Sequence, residues 1–165
     1  MKFWLISDTH FEHDRMIELC NRPENFTELI VENWNSMIAP EDTVIHLGDV
    51  SWVADTYMDR LNGKKILVRG NHDGKSVAWY MEHGFDFVCK TFTMKFGGLD
   101  IIFSHKPLIF HEHDICIHGH LHNCAKVTSV CPHYLVALED TDYKPILLND
   151  LVVQLKAEKD ARENA

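Results

Sequence analysis

Apolar and polar positions alternate in short blocks along this chain, and five apolar runs end in a polar residue able to bind metal. Lys2-Phe-Trp-Leu-Ile-Ser7 runs into Asp8-Thr9-His10, and Thr43-Val-Ile-His-Leu47 into Gly48-Asp49. Lys65-Ile-Leu-Val-Arg69 runs into Gly70-Asn71-His72-Asp73, Asp100-Ile-Ile-Phe-Ser104 into His105, and Asp114-Ile-Cys-Ile-His118 into Gly119-His120-Leu121-His122. Runs of that length bounded by turn residues predict strands. Between the first two, Ile17, Leu19, Cys20, Phe26, Leu29, Ile30, Trp34, Met37 and Ile38 fall at helical spacings, and Pro23 divides the stretch from Met16 to Met37 into two helices. Ala54 to Leu61, stopped by Asn62-Gly63, and Ser76 to His83, stopped by Gly84, read as further helices. The period then changes. Phe85 to Phe96 and Leu99 to Phe103 predict two strands joined at Gly97-Gly98, followed by strands near Tyr134 to Leu138 and Ile146 to Leu148 and a final helix from Asn149. Early βα alternation followed by hairpins predicts an α/β protein with two packed mixed β-sheets and helices on their outer faces.

Composition narrows the setting. The 165 residues show no linker or repeat, so residues 1–165 are expected to form one domain, large enough to bury a core without disulfides. Five cysteines form no CxxC pair, which favours reduced thiols in a cytoplasmic protein. No leader-like segment and no run of membrane-spanning length stands in the sequence, so membrane insertion is not expected. The net charge of −9 argues against gripping long duplex nucleic acid, while leaving room for a small phosphate ester beside divalent ions. Twelve histidines, several of them at strand ends, point toward metal.

Open α/β sheets bind ligands beyond the carboxyl ends of their strands, so the five ends can converge. The convergent residues are Asp8, His10, Asp49, Asn71, His105, His120 and His122. This mixed nitrogen and oxygen set suits Mn, Fe, Co, Ni or Zn, with Mn the leading expectation, and it is large enough for two ions sharing a carboxylate. Asp49 is the expected bridge, because Gly48 permits a close backbone approach. Two ions 3.5–4 Å apart, the spacing typical of such sites, can generate a hydroxide at neutral pH and clamp an in-line displacement at phosphorus. His72 is then expected at the rim, as general acid or as a stabiliser of phosphoryl charge, with Asp73 orienting it.

Asp-x-His, Gly-Asp, Gly-Asn-His-Asp, Ser-His and Gly-His-x-His, in that order, closely resemble the motifs of the calcineurin-like metallophosphoesterases, and in particular the small single-domain members of bacteria and phages. The resemblance implies a sandwich of two mixed sheets flanked by helices. It implies one ion held by Asp8, His10, Asp49 and His122, a second held by Asp49, Asn71, His105 and His120, and a non-ligand catalytic role for His72. Gly48-Asp49 is followed by Val-Ser-Trp-Val-Ala, without the arginine that the Ser/Thr protein phosphatases of this superfamily carry there, which speaks against phosphoprotein substrates.

The expected activity is hydrolysis of a phosphomonoester or phosphodiester, with a nucleotide among the candidate substrates. The alternatives are a nuclease acting on short oligonucleotides and a non-catalytic scaffold on the same fold. His46 and His118, each inside a strand, read as core or supporting residues, and His111 and His113 as loop residues. Lys106 and Arg69 are candidates for contacting phosphate, against the simpler readings of a solvated lysine and a locally paired arginine. Trp52 is a candidate pocket-lining residue.

Overall fold

The structure, a computed structural model, describes residues 1–51, 53–123 and 131–163; Trp52 therefore lies outside the described residues. Its elements are β1 (Phe3–Ile6), α1 (Arg15–Cys20), α2 (Phe26–Met37), β2 (Thr43–His46), α3 (Ala54–Tyr57), β3 (Lys64–Val68), α4 (Val77–Glu82), β4 (Phe87–Cys89), β5 (Thr91–Phe96), β6 (Leu99–Ser104), β7 (Ile115–His118), β8 (His133–Leu135), β9 (Ile146–Leu147) and α5 (Leu148–Glu163). They form a five-stranded sheet in the order β4-β3-β2-β1-β9 and a four-stranded sheet in the order β5-β6-β7-β8. Both sheets are mixed, with β9 antiparallel in the first and β5 antiparallel in the second. The α/β architecture expected from the apolar pattern is the one observed.

Register explains why the site has one address. Ile6 lies opposite His46 and His46 opposite Leu67, so the first three strands end level and release Asp8, Asp49 and Asn71 at one edge. Ser104 lies opposite His118 in the second sheet, which brings His105 and the Gly119 segment out side by side. Alternate residues of each strand feed two apolar layers. Trp4 and Ile6 pack with Phe26, Ile30 and Trp34 under the helices, whereas Leu5, Ile45, Leu47 and Val68 meet Ile101, Phe103 and Ile117 between the sheets. Leu148, Leu151 and Val152 of α5 join this second layer. Fully burying each such side chain contributes roughly 1.5–3 kcal/mol.

Several boundaries differ from expectation. α1 stops at Cys20 because Asn21 adopts a left-handed conformation, φ 55°, ahead of Pro23. Leu19, counted in the apolar stripe, is 57% exposed on this short helix. Past Tyr57 the third helix tightens into a 3₁₀ turn over Met58–Arg60. The single strand expected over Phe85 to Phe96 is two, divided at Lys90: β4 pairs parallel with β3, while β5 pairs antiparallel with β6. Side-chain alternation records which face is buried and carries no signal for a change of sheet. The strand expected over Tyr134 to Leu138 runs instead from His133 to Leu135 and gives way to a 3₁₀ turn at Leu138–Asp140.

Candidate metal centre

All seven residues expected as ligands emerge at the shared edge of the two sheets. Among these seven, two trios have ligand atoms within 4.8 Å of one another: Asp8, His10 and His122, and Asp49, His105 and His120. Asp49 connects them, its Oδ2 lying 3.7 Å from His10 Nε2, 3.4 Å from His105 Nε2 and 4.0 Å from His72 Nε2. Asn71 stands beside the second trio, its Oδ1 3.0 Å from His105 Nε2. His122 Nε2 is 3.7 Å and His10 Nε2 3.9 Å from Asp8 Oδ1. That oxygen is buried and has no hydrogen-bond partner among the described residues. A buried unsatisfied carboxylate oxygen is costly, and a cation would satisfy it. With two carboxylates, an amide oxygen and four imidazoles around it, the donor set fits a pair of divalent ions.

Backbone geometry at the ligands is unusual. Asp8, His10, Asp49, His120 and His122 all have positive φ, between 45° and 71°. Left-handed conformations cost non-glycine residues of order 1–3 kcal/mol each and persist only where surroundings enforce them. Two glycines make that possible. A Cβ on Gly70 would collide with Asp49 Oδ1, and one on Gly119 with Ser7 Oγ and Asp8 Oδ2, so the loops can close only where no side chain stands. Gly48, at φ +99°, confirms the close approach anticipated ahead of Asp49: a Cβ there would lie 2.7 Å from His105 Nδ1.

A surrounding layer orients two of the candidate ligands and braces the loops that carry others. His105 Nδ1–H donates to the Leu47 carbonyl at 2.8 Å, turning Nε2 toward Asn71 and Asp49. His122 Nδ1–H donates to Glu139 Oε1 at 3.2 Å, turning its Nε2 toward Asp8. Glu139 is in turn gripped by Arg22, through Nε at 2.8 Å and Nη2 at 2.7 Å. Arg22 also donates to the carbonyls of Asp8 and Thr9, binding the first metal loop to the His122 segment. His46 accepts from Gly48 N–H at Nδ1, so its Nε2–H donates to Thr9 Oγ1, which donates to the Val50 carbonyl. His46 thus holds the Asp8 and Asp49 loops together, the supporting role its in-strand position suggested.

Asp73 departs from expectation. Its carboxylate does not orient His72: Oδ2 accepts from the backbone N–H of Asp49 (2.9 Å) and Gly70 (2.7 Å), and Oδ1 from that of Val50 (3.0 Å). It is a buried strut for the Asp49 loop. His72 is tethered through its backbone N–H, which donates to Asp49 Oδ1 at 2.8 Å, while its side chain is 46% exposed at the mouth of the site. Arg69 pairs locally, donating to the carbonyls of Asp73 and Lys75. His111 and His113 lie away from the centre: His111 bonds to backbone carbonyls of His113 and Pro132, and His113 Nδ1 lies 2.9 Å from Asp100 at the start of β6.

Charge states follow from burial and partners. Burial lowers His10 to about 3, leaving the neutral imidazole that metals bind. Burial opposes ionisation of Asp49, yet His105 and the His72 N–H hold it at about 2. Glu139 is likewise held at about 2 by His122 and Arg22 against the effect of burial. Burial pushes Asp8 up, in keeping with its unpartnered oxygen.

The sequence matches the Calcineurin-like phosphoesterase family over residues 1–163. The chain belongs to that family. It is 31% identical over 171 aligned positions to an uncharacterized protein of Methanocaldococcus jannaschii, covering 93% of its own length and 90% of the relative's. Among solved structures it is similar to a protein of unknown function from Aquifex aeolicus, at 28% identity and a TM-score of 0.76, over 93% of this chain and 98% of that one. A structure described as a novel archaeal phosphodiesterase shares the fold, at 20% identity and a TM-score of 0.50, over 90% of this chain and all of that one. No described helix of the chain is long and apolar enough to cross a membrane.

Arg22 and Glu139 are the residues of this site that sequence reasoning missed. They lie 117 positions apart, and neither adjoins a motif. A buried arginine would have been the only hint, and burial cannot be read from a single arginine codeword in a polar loop.

Proposed function

We propose that this chain is a dinuclear metal-dependent phosphohydrolase acting on a small phosphomonoester or phosphodiester. Asp8, His10, Asp49 and His122 would hold one ion, and Asp49, Asn71, His105 and His120 the other, with Mn the leading candidate. The observation that carries this reading is the position of Asp49 Oδ2 between two ligand trios, each within reach of its own cation. When bound, such ions supply a hydroxide at neutral pH and neutralise the phosphoryl oxygens.

The chain's own groups account for the rest. Asp49 stays ionised at neutral pH and His10 stays neutral, so no proton need be expelled from them for metal to enter. Water adds to phosphorus, the ester P–O bond breaks, and the departing oxygen takes a proton from His72 at the mouth of the site. The exposed imidazole can then exchange its proton with solvent. The net charge of −9 favours small esters over long duplexes. The presence of every expected ligand, assembled at one edge, supports an enzyme over a scaffold.

The test is activity of metal-reconstituted protein on a panel of phosphomonoesters, phosphodiesters and cyclic nucleotides. Hydrolysis of at least one class, dependent on added Mn and abolished by chelation, is expected. Fully loaded protein inactive on the whole panel would overturn the proposal.

A further inference from the structure

A cavity of about 400 Å³ adjoins the metal centre on the side of the second trio and shares Asn71 and His105 as part of its wall. Its volume is in the range of small-molecule sites. Its charge is opposite to that of the chain. Arg69, Lys90 and Lys106 all line it, and none of the lining residues is a carboxylate, although the chain carries 25 acidic residues against 16 basic ones. The three cations come from separate segments. Arg69 follows β3, Lys90 is the single residue between β4 and β5, and Lys106 follows the metal-site residue His105. Pairing of Thr91 with Ser104 brings the last two segments together, and the bond from Arg69 N–H to the Cys89 carbonyl brings in the first.

None of the three cations is neutralised by a carboxylate among the described residues. Neither Lys90 nor Lys106 forms an ion pair with a carboxylate among the described residues, and both side chains belong to exposed residues. Arg69 is fixed by two carbonyls through Nη2, while its buried Nε–H has no partner among the described residues. Thr91 and Leu108 also line the cavity, and the Ser104 hydroxyl, donated to the Lys106 carbonyl at 2.6 Å, ties down the backbone that carries Lys106. Three like charges held together without counter-ions repel one another, so an anion would be favoured there. The scissile phosphate already has its place at the metal ligands. The adjoining cavity therefore has work for a second anionic group on the same molecule.

We propose that the cavity of Arg69, Lys90 and Lys106 binds a second phosphate of the substrate, making this enzyme selective for compact esters that carry two phosphates. The inference rests on the proposed phosphohydrolase activity and narrows its substrate class. The second phosphate could sit on the sugar of a nucleotide or in a short polyphosphate chain; both present the same dianionic group.

The direct test compares two substrates that differ by one phosphate: the nitrophenyl ester of thymidine 5′-phosphate and the same ester bearing a 3′-phosphate. The ratio of their kcat/KM values should favour the second, and Lys90→Ala and Lys106→Ala should each reduce that ratio about 10-fold, the scale of one charge-assisted contact. A ratio unchanged in the double variant would overturn the inference while leaving the phosphohydrolase reading intact. Competition by a nucleoside 3′,5′-bisphosphate and by a nucleoside 5′-diphosphate separates the two sources, since only the compound that reaches the cavity should lose affinity in the lysine variants. If the Mn-loaded protein hydrolyses neither ester, calorimetric titration with the same two compounds decides. Tighter binding than to the nucleoside monophosphate, lost in the double variant, would uphold the subsite; equal binding in wild type and variant would reject it.

Discussion

Glu139→Gln isolates the contribution of the carboxylate behind His122. The exchange preserves shape and removes one charge from a side chain only 4% exposed, opposite an Arg22 side chain with no exposure. Glu139 is held at about 2 in the fold, against an ordinary value of 4.5. At ~1.4 kcal/mol per pH unit, that difference corresponds to about 3 kcal/mol of stability at neutral pH. The sign is that of a depressed carboxylate: the contribution is complete above about 4.5 and disappears as pH falls toward 2. For a chain of this size the metal-free variant should melt roughly 6–12 °C below wild type at pH 7, with the gap narrowing below pH ~4.5. Metal affinity should fall ~10–100-fold, because His122 loses the charged acceptor that fixes its ring and raises its basicity. Thermal unfolding across pH and calorimetric Mn titration provide both readouts. A gap under about 2 °C at pH 7, or one equally wide at pH 5 and pH 3.5, would refute the reasoning, since ~3 kcal/mol cannot hide in so small a shift.

Asp49→Asn should reduce bound Mn from about two ions per chain, because the shared charge serves both trios; elemental analysis giving unchanged stoichiometry would break the assignment. His72→Ala should retain metal and lose ~10²–10⁴-fold activity on esters with basic leaving groups, with a smaller loss on nitrophenyl esters. Equal losses on both ester types would instead assign His72 to stabilising phosphoryl charge.

The cluster of candidate ligands was legible because each member lies within a few residues of a strand's carboxyl end, so periodicity located the strands and chemistry picked out what followed them. Asp73 shows where that reasoning stops. Its neighbour His72 suggested a side-chain partner, but the folded backbone presents three N–H donors that no sequence pattern records. Lys90 was hidden for a different reason, since the alternation on either side of it is compatible with one unbroken strand. Arg22 and Glu139 needed the tertiary fold outright. Short-range periodicity encodes strands and helices; pairings across 117 residues are set by how those elements dock.

Asp8, His10, Asp49 and Asn71 are carried by one sheet, and His105, His120 and His122 by the other. The spacing of the two halves is consequently set by the thickness of the apolar layer between the sheets, as the jaws of a calliper are set by its screw. Leu47, Val68, Phe103 and Ile117 fill that layer with no solvent exposure, and none of them is a ligand. Close-packed interiors transmit changes of even one methylene. A misplacement of ~1 Å at a reacting centre can cost ~10²-fold in rate. Enlarging or trimming these side chains is thus a means of resetting the distance between the two halves of the centre from within the hydrophobic interior, and on the proposed hydrolytic activity a redesign of that layer would alter turnover with every candidate ligand left in place.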